Sequence, residues 1–200
     1  MPDSDYIVRD AHQFDKLKVL YKYFENRKSG FIAGGIFKDI FLDREFRDID
    51  WYFHNEFDFS ELLTSVAADK KNILIYENSN AICYYNGYYN TKEEFVKKQF
   101  GYPKRILEGF DFSVSKFCLF KENRSLKVIF HKDFFEDLTN RRLRFSTEVK
   151  NPILFMNRIM KYSSYGFSLS KNDFLKLMLQ INQLNPDDLK GVTIDNLYDY

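Results

Sequence analysis

The chain has 200 residues, with 30 Lys and Arg against 29 Asp and Glu, so its formal net charge is +1. This length fits one ordinary domain, or one domain with a small helical addition, and 22 Phe with 14 Tyr exclude a disordered chain. The charge balance argues against attachment to nucleic acid by bulk charge alone, although it leaves a local basic groove open. Because no membrane span, secretory signal or obvious cysteine pair is found, we expect a cytoplasmic protein with no membrane partner.

Helical apolar spacing, aromatic and β-branched runs and turn residues divide the chain into predicted elements. Up to residue 132 these elements alternate between helices and strands, and from 133 on they are helical. We therefore predict two domains, an α+β domain over 1–132 and a helical domain over 133–200. In chain order the predicted elements are helix 14–24, apolar run 31–33, helix 37–41, strand 49–53, helix 60–71, strands 72–76 and 81–85, helix 91–100, strands 110–120 and 126–130, and helices opening at Asn151 and Ser170.

Two of these helices depend on capping patterns. Thr91 and Glu94 have the spacing of a capping box, which predicts that a helix begins there and ends before Gly101. Asn151 is a good N-cap residue, and Pro152 after it suits the first helical position. We therefore expect helices at both places.

One pattern in the sequence indicates a binding or reaction site: Gly34 and Gly35 are followed, after twelve intervening residues, by Asp48 and Asp50 on a predicted strand. Adjacent glycines let a backbone approach a polyphosphate closely, and a helix that begins after them directs its N–H groups at that phosphate. Carboxylates two residues apart on a strand project from the same face, so they can hold Mg²⁺ beside nucleotide phosphates. The alternative is an ordinary tight turn followed by two surface aspartates.

Several ordered segments carry a family resemblance. They are 31–42 (FIAGGIFKDIFL), 47–50 (RDID), 110–115 (FDFSVS), 136–144 (EDLTNRRLR) and 151–167. Together they resemble the head domain of CCA-adding tRNA nucleotidyltransferases and bacterial poly(A) polymerases, where a basic-acidic pair like Lys38 and Asp39 also stands between the glycines and the D-x-D strand. The resemblance implies an α+β fold, a polymerase-β-like nucleotidyltransferase head with a mixed β-sheet and flanking helices, followed by a helical neck.

The resemblance also implies roles for single residues. Asp48 and Asp50 would bind two Mg²⁺ ions and act in catalysis, and Asp111 is the candidate for a third catalytic acid. The implied nucleotide-binding residues are Gly34, Gly35, Lys38, Arg141 and Arg158. For Asp111 the alternative is a structural aspartate, and for Lys38 and the arginines it is a solvated helix face.

The sequence departs from the family pattern at several positions. Gly109 and Phe110 stand where the family has two arginines that help to hold the nucleotide. Lys150, Asn151 and Leu154 stand where the family has the residues that select CTP and ATP. The family's choice of base can therefore not be carried over to this sequence. The family usually takes its third metal-binding acid from a strand that corresponds to 81–90, which has no acid here; Glu77 and Glu93 stay open as substitutes.

These observations lead to one expected function and two alternatives. We expect Mg²⁺-dependent transfer of a nucleoside monophosphate from a nucleoside triphosphate to an acceptor hydroxyl, with an RNA or tRNA 3′ end as the first candidate acceptor. The alternatives are nucleotidylation of a protein or small molecule, as by toxin or antitoxin enzymes, and a non-catalytic module that binds nucleotide, RNA or protein. The Asp48 and Asp50 pair favours an enzyme, because two adjacent acids repel each other without cations. The sequence leaves open the base, the acceptor and the oligomeric state.

Overall fold

The computed structural model describes residues 5–25, 27, 29–46, 48–145, 149 and 151–183. Eight of its strands form one mixed sheet. In chain order they are β1 (Tyr6–Asp10), β2 (Phe31–Ala33), β3 (Asp48–Phe53), β4 (Asn72–Glu77), β5 (Ala81–Asn86), β6 (Thr91–Phe100), β7 (Phe117–Glu122) and β8 (Ser125–His131). Across the sheet the order is β1-β8-β7-β2-β3-β6-β5-β4, so β1 and β4 are its edge strands. The β3–β6 pair is parallel, and the other neighbouring pairs are antiparallel.

The helices and the remaining strands complete the described chain. The helices are α1 (Lys18–Tyr21), α2 (Ile36–Phe41), α3 (Glu56–Ala68), α4 (Pro103–Glu108), α5 (Phe134–Thr139), α6 (Pro152–Ser163) and α7 (Lys171–Asn182). Strands β9 (Arg142–Leu143) and β10 (Ser168–Leu169) form a small parallel pair. Within the described ranges, no helix is long and apolar enough to cross a membrane.

The residues divide into two compact units. The first consists of the residues up to Phe110 together with Ser115–Phe134, and it contains the eight-stranded sheet. The second consists of Asp111–Val114 and the residues from Phe135 on, and it contains α6, α7 and the β9–β10 pair. The predicted boundary between residues 132 and 133, and the neck arrangement of the later helices, stay predictions.

One face of the large sheet, called here the α4 face, is covered in part by α4. Its core cluster consists of Phe31, Ala33, Ile106, Leu107, Cys118 and Ile129. Side chains alternate along a strand, so Asp48, Asp50 and Tyr52 point to one side of β3. Because Tyr52 packs against this cluster, the α4 face is also the one that carries Asp48 and Asp50.

The opposite face, called here the Trp51 face, is built from rings. Ile49, Trp51 and Phe53 of β3 are fully buried on it. Trp51 packs against Phe24 with ring centroids 5.1 Å apart, and Phe53 against Phe59 of α3 at 5.4 Å. Fully burying such rings supplies a large share of the hydrophobic stabilisation of a core. The chain therefore has the aromatic core that its composition predicts.

The structure corrects the prediction of a helix over 91–100, which is strand β6. Thr91, Glu93 and Phe95 are buried alternately, the period-2 pattern of a strand. β6 pairs with β3 on one side and with β5 on the other. Pairing with two neighbours outweighs a local capping box, because strand stability depends on these long-range contacts.

The structure also corrects the predicted strand over 110–120, since β7 begins only at Phe117. Pro103 stands at the start of α4, which suits its fixed φ and missing N–H. A short 3₁₀ turn at Ser113–Ser115 then separates α4 from β7. Asp111 therefore lies before the strand and not within it.

The predicted first helix is broken into short pieces. A 3₁₀ turn (Asp15–Leu17), α1 and a second 3₁₀ turn (Lys22–Phe24) occupy the region that was predicted as one helix, and a further 3₁₀ turn (Ala11–Gln13) precedes it. Asp10 ends β1, which the sequence pattern missed; its side chain makes no capping hydrogen bond to the turn that follows, and its carboxylate pairs with Lys127 at 2.7 Å.

Strands β9 and β10 correct the prediction that the chain is helical from residue 133 on. Several other elements follow the predictions, and so does the fold class. Helix α2, strand β3 and the β4–β5 and β7–β8 hairpins form where local patterns place them. The Asn151 side chain caps α6 by accepting from the N–H of Leu154, and Ser170 caps α7 by accepting from Asp173. The predicted mixed sheet with flanking helices is confirmed.

Candidate functional site

A glycine turn links β2 to α2 beside the β3 carboxylates. Gly34 is buried, has a φ of +102°, and donates its N–H to the carbonyl of Phe117 at 3.1 Å. A Cβ added at Gly34 would lie 3.6 Å from Asp50 Oδ2 and 3.8 Å from the Phe110 ring. Gly35 has ordinary helical geometry and forms the N-cap of α2. The turn therefore brings backbone without a side chain next to Asp50, as a close approach of phosphate requires.

The two predicted metal ligands lie on β3 as the spacing requires. Asp48 is exposed and Asp50 is half-buried, and they flank the fully buried Ile49. In the parallel β3–β6 ladder, Asp48 lies opposite Lys92 and Asp50 lies opposite Glu94. Paired residues of neighbouring strands share a face, so Lys92 and Glu94 belong to the α4 face as well.

Lys92 and Glu94 are candidate site residues that the sequence prediction missed. It placed both on a helix, where their relation to Asp48 and Asp50 is lost. Thr91, Glu93 and Phe95 are buried alternately in the structure, but the residue types at 91–95 show no apolar alternation that could have indicated a strand against the capping box.

Glu94 connects the carboxylates to a tyrosine on the edge strand. The Tyr76 hydroxyl donates to Glu94 Oε2 at 2.5 Å. Burial, this hydrogen bond and the charges of Glu94 and Asp50 raise the pKa of Tyr76. Burial and the charges of Glu94 and Asp48 likewise raise the pKa of the Cys83 thiol to about 11. Burial is the largest cause of both shifts, and the charges of Asp48, Asp50 and Glu94 on the same face add to it.

Glu93 and Glu77, the two substitutes that the sequence left open, have other partners. Glu93 points to the Trp51 face, where it is 1% exposed and pairs with Arg27 at 2.6 Å. It also accepts from Trp51 Nε1 at 2.7 Å and from Asn86 Nδ2 at 2.5 Å. Glu77 pairs with Lys97 at 2.8 Å. Glu93 therefore ties β6 to its neighbours from the side away from Asp50.

The carboxylates of β3 fit a magnesium ion that is bound together with a nucleotide. Mg²⁺ is held in proteins by one or two carboxylates, while phosphate oxygens and waters complete its octahedron. Asp48 and Asp50 supply two such carboxylates on one face, beside the side-chain-free Gly34 turn. In the part of the chain that the structure describes, no three His, Cys, Asp or Glu side chains group closely enough to hold a metal. Phosphate oxygens would therefore have to supply part of the coordination.

Lys38 of α2, a predicted phosphate ligand, is buried. Its side chain is 4% exposed, and its ammonium group forms an ion pair with the carboxylate of Asp39. Burying a charge is costly unless it is paired, so Asp39 compensates Lys38 inside the first unit. The phosphate role of Lys38 stays a prediction.

The other predicted site residues, Asp111, Arg141 and Arg158, belong to the second unit. Asp111 pairs with Arg158 of α6, which supplies the partner that a half-buried carboxylate needs. Arg141 has a φ of +52°, and its guanidinium lies 5.4 Å from the centre of the Phe167 ring. Within the described residues, its Nη1 atom is buried without a hydrogen-bond partner. Their catalytic and nucleotide-binding roles stay predictions.

Two neighbouring arginines of the second unit are paired with acids. Arg142 pairs with Asp173 at 2.9 Å, and Arg144 pairs with Asp137 at 3.1 Å. These ion pairs favour a structural role for both arginines. Arg47 and Lys150, which belong to the sequence motifs, lie outside the described residues.

Sequence comparison links the chain to one protein family. Residues 10–141 match the family model described as Gabija anti-defense 2 family protein. A curated relative, Gabija anti-defense 2 of Bacillus phage SPbetaL7, is 25% identical over 217 residues, covering 94% of this chain. The chain spans about half the length of that relative, since the match covers 50% of it.

Structure comparison finds tRNA-processing enzymes. A CCA-adding enzyme solved with ATP has a TM-score of 0.68 at 14% identity, over 92% of this chain and 49% of that one. The Thermotoga maritima CCA-adding enzyme complexed with tRNA has a TM-score of 0.65 at 14% identity, with the same coverage. A tRNA nucleotidyltransferase complexed with a primer tRNA and an incoming ATP analog has a TM-score of 0.58 at 21% identity, over 77% of this chain and 47% of that one. At these identities the similarity establishes the fold.

Proposed function

The chain belongs to the Gabija anti-defense 2 family, and from this premise we propose that it acts against that defence as a Mg²⁺-dependent nucleotidyltransferase. The observation that carries the proposal is the position of Gly34 next to Asp50. Its positive φ and the 3.6 Å gap from an added Cβ to Asp50 Oδ2 match a backbone turn that must approach a triphosphate whose Mg²⁺ ion is held by that carboxylate. The nucleotidyltransferase fold of the structural neighbours supports the same reaction.

The proposed reaction moves a nucleoside monophosphate to an acceptor hydroxyl. Asp48 and Asp50 would hold Mg²⁺, and the Gly34-Gly35 turn would bind the triphosphate through its backbone. When bound, Mg²⁺ neutralises charge on the α-phosphate and on the leaving pyrophosphate. Glu94, the register neighbour of Asp50, is our candidate to accept the proton of the attacking hydroxyl. Lys92, opposite Asp48, is our candidate to pair with a phosphate oxygen.

The first candidate acceptor is the 3′ end of an RNA, such as a tRNA. The support for it is the fold, since two of the structural neighbours were solved with tRNA. A protein hydroxyl is the second candidate, and the anti-defence family supports it, because a protein of the defence system could then be the acceptor. CCA-adding enzymes hold the nucleotide and select its base with residues that are replaced here by Gly109, Phe110, Asn151 and Leu154. We therefore assign no base.

Label transfer tests the proposal. The protein is incubated with Mg²⁺, each α-labelled nucleoside triphosphate in turn, total RNA and cell lysate, with Asp48→Ala/Asp50→Ala as the control. Label on RNA that is absent in the control supports terminal transfer, and label on a lysate protein supports the second acceptor. Absence of label from every fraction, the enzyme itself included, would contradict a transferase and leave a non-catalytic binding module.

A further inference from the structure

Strand β4 contains a β-bulge that sets the direction of Tyr76. Leu74 lies opposite Tyr84 on β5, whereas two residues later Tyr76 lies opposite Cys83, so the register shifts by one between them. In a regular ladder Tyr76 would lie opposite Ile82 and would point to the other side of the sheet. The extra residue therefore turns the Tyr76 side chain onto the α4 face. Bulges of this kind are frequent beside active sites, where they redirect a side chain.

With its side chain on the α4 face, Tyr76 completes a row of residues across four neighbouring strands. Tyr76 lies opposite Cys83, Cys83 lies opposite Glu94, and Glu94 lies opposite Asp50. Within the row the Tyr76 hydroxyl reaches Glu94 Oε2 at 2.5 Å, one strand away from the proposed metal ligand. The charge of Asp50 contributes to the raised pKa of Tyr76, which agrees with this proximity.

The tyrosine is also accessible to a ligand. Tyr76 is 40% exposed and lies on edge strand β4, so it can meet a nucleotide without a rearrangement of the sheet. A phenol with its ordinary pKa of about 10 is protonated at neutral pH, and a reaction at its oxygen therefore needs a base. The carboxylate that already accepts its hydrogen bond, Glu94, is in position to serve as that base.

We propose that Tyr76 is a self-modification site, at which the chain transfers a nucleoside monophosphate from a nucleoside triphosphate to its own phenol oxygen. The proposal rests on the proposed function and names one further acceptor for the same site. The Tyr76 oxygen attacks the α-phosphorus, an O–P bond forms, and the bond from the α-phosphorus to the leaving pyrophosphate breaks. The phenol proton passes to Glu94. The product would carry its nucleotide beside Glu94, where it would limit access for other acceptors.

Intact mass and peptide mapping test the proposal on the full chain. The wild-type protein is incubated with Mg²⁺ and each nucleoside triphosphate, and we expect a mass increase of one nucleoside monophosphate that maps to the peptide containing Tyr76. Tyr76→Phe removes the attacking oxygen while it keeps the ring, so this variant should lose the adduct. Asp48→Ala should lose it as well.

Tyr85→Phe is the matched control. Tyr85 lies on β5 opposite Lys92, in the adjacent row of the same face, and its hydroxyl donates to Asn90 at 2.5 Å instead of to a carboxylate. The adduct should persist in this variant. Circular dichroism and thermal unfolding of all variants would separate loss of the acceptor from loss of the fold.

The outcomes separate this proposal from the proposed function. An adduct that persists in Tyr76→Phe, or that maps to another residue, overturns the self-modification site. Transfer to RNA or to a lysate protein without any label on the chain also overturns it, while the transferase proposal stands. Absence of transfer to any acceptor overturns both. A purely structural Tyr76–Glu94 bond would change the unfolding temperature of Tyr76→Phe but would give no adduct in the wild type.

Discussion

Glu93 and Glu94 are neighbours in the sequence, but they lie on opposite faces of β6 and have opposite surroundings. Glu93, on the Trp51 face, is almost fully buried and accepts from Arg27, Trp51 and Asn86. A carboxylate with so many donors is a structural part of the sheet, because its burial is compensated within the protein.

Glu94 lies on the α4 face opposite a group of its own charge. It is half-buried, it lies opposite Asp50, and its oxygen accepts from the Tyr76 hydroxyl. Carboxylates that lie side by side repel each other, and a bound cation relieves this repulsion. The comparison teaches that the donors around an acidic residue, more than its place in a motif, separate a structural acid from a candidate site residue.

The largest expected effect comes from the charge of Glu93. Glu93→Gln should lower the free energy of unfolding by about 3 to 5 kcal/mol, because it leaves the buried Arg27 without its counter-charge. Burial already lowers the pKa of Arg27, and Glu93 opposes that shift. Glu94→Gln is the matched variant and should cost less than about 1 kcal/mol, because a glutamine oxygen can still accept from Tyr76.

Chemical denaturation of the two variants measures this difference. Equal losses in both would contradict the assignment of Glu93 to structure and Glu94 to the site. A large loss in Glu94→Gln alone would reverse it.

The next effect is stabilisation by a bound nucleotide. A nucleoside triphosphate with Mg²⁺, at 100 times its dissociation constant, should stabilise the wild type by about 2.7 kcal/mol. Asp50→Asn should abolish this gain, because it removes a ligand charge from the α4 face. Asp10→Asn is the control, since Asp10 ends edge strand β1 and pairs with Lys127.

Thermal unfolding with and without Mg²⁺ measures the gain. If no nucleoside triphosphate stabilises the wild type, the α4 face does not bind nucleotide and its carboxylates require another explanation. An equal gain in wild type and Asp50→Asn would assign the nucleotide to a different surface.

Local signals in the sequence were sufficient for the part of the site on β2, α2 and β3. The glycine pair, the helical spacing after it and the alternating strand that carries Asp48 and Asp50 are all read within a few residues. The structure then brings Gly34 next to Asp50, as the spacing predicts. The order of the motif segments along the chain was also sufficient to predict the mixed sheet.

The part of the site on β6 and β4 could not be read in this way. β6 is a strand because it pairs with β3, about forty residues earlier, as well as with β5, and such pairing is invisible to a local capping rule. Tyr76 reaches the α4 face only because of a bulge, which shifts the register by one residue. Asp111 was wrongly placed on a strand because a 3₁₀ turn at Ser113–Ser115 occupies part of the stretch that was predicted as a strand, and β7 begins only at Phe117.

A glycine comparison gives the third effect. Gly34→Ala should lower the free energy of unfolding by about 1 to 2 kcal/mol, because φ at this position is in the left-handed region. Gly166 has a similar φ of +85°, and a Cβ there would meet nothing within 4 Å. Gly166→Ala should therefore cost a similar amount of stability.

The two glycine variants should differ in nucleotide binding. We expect Gly34→Ala to weaken stabilisation by Mg²⁺ and nucleoside triphosphate, because its methyl group would occupy the space beside Asp50. Gly166→Ala should leave that stabilisation unchanged. Equal effects of the two variants on nucleotide binding would remove the Gly34 turn from the candidate site.

The smallest expected effect concerns His131, which is buried like Glu93 but would lose a hydrogen bond if it became charged. Burial lowers the pKa of His131 below its ordinary 6.5, against the charge of Asp133 and together with that of Lys116; Asp5 and Lys132 make smaller contributions. The N–H of Asp133 also donates a hydrogen bond to His131 Nδ1 at 3.2 Å. Protonation of the ring would remove this hydrogen bond, because both nitrogens of a protonated imidazole are donors. The folded state therefore favours the neutral ring.

The sign of the pH dependence follows from this preference. Below about pH 6.5 the unfolded chain binds a proton at this residue that the folded chain does not, so stability present above that pH is lost as the pH falls towards the lowered folded pKa. One proton limits the slope to about 1.4 kcal/mol per pH unit. Denaturation of wild type and His131→Gln between pH 7 and pH 5 should show a shallower slope for the variant. Equal slopes would mean that His131 binds its proton equally well in the folded and the unfolded chain, so that burial and the Asp133 N–H do not hold the ring neutral.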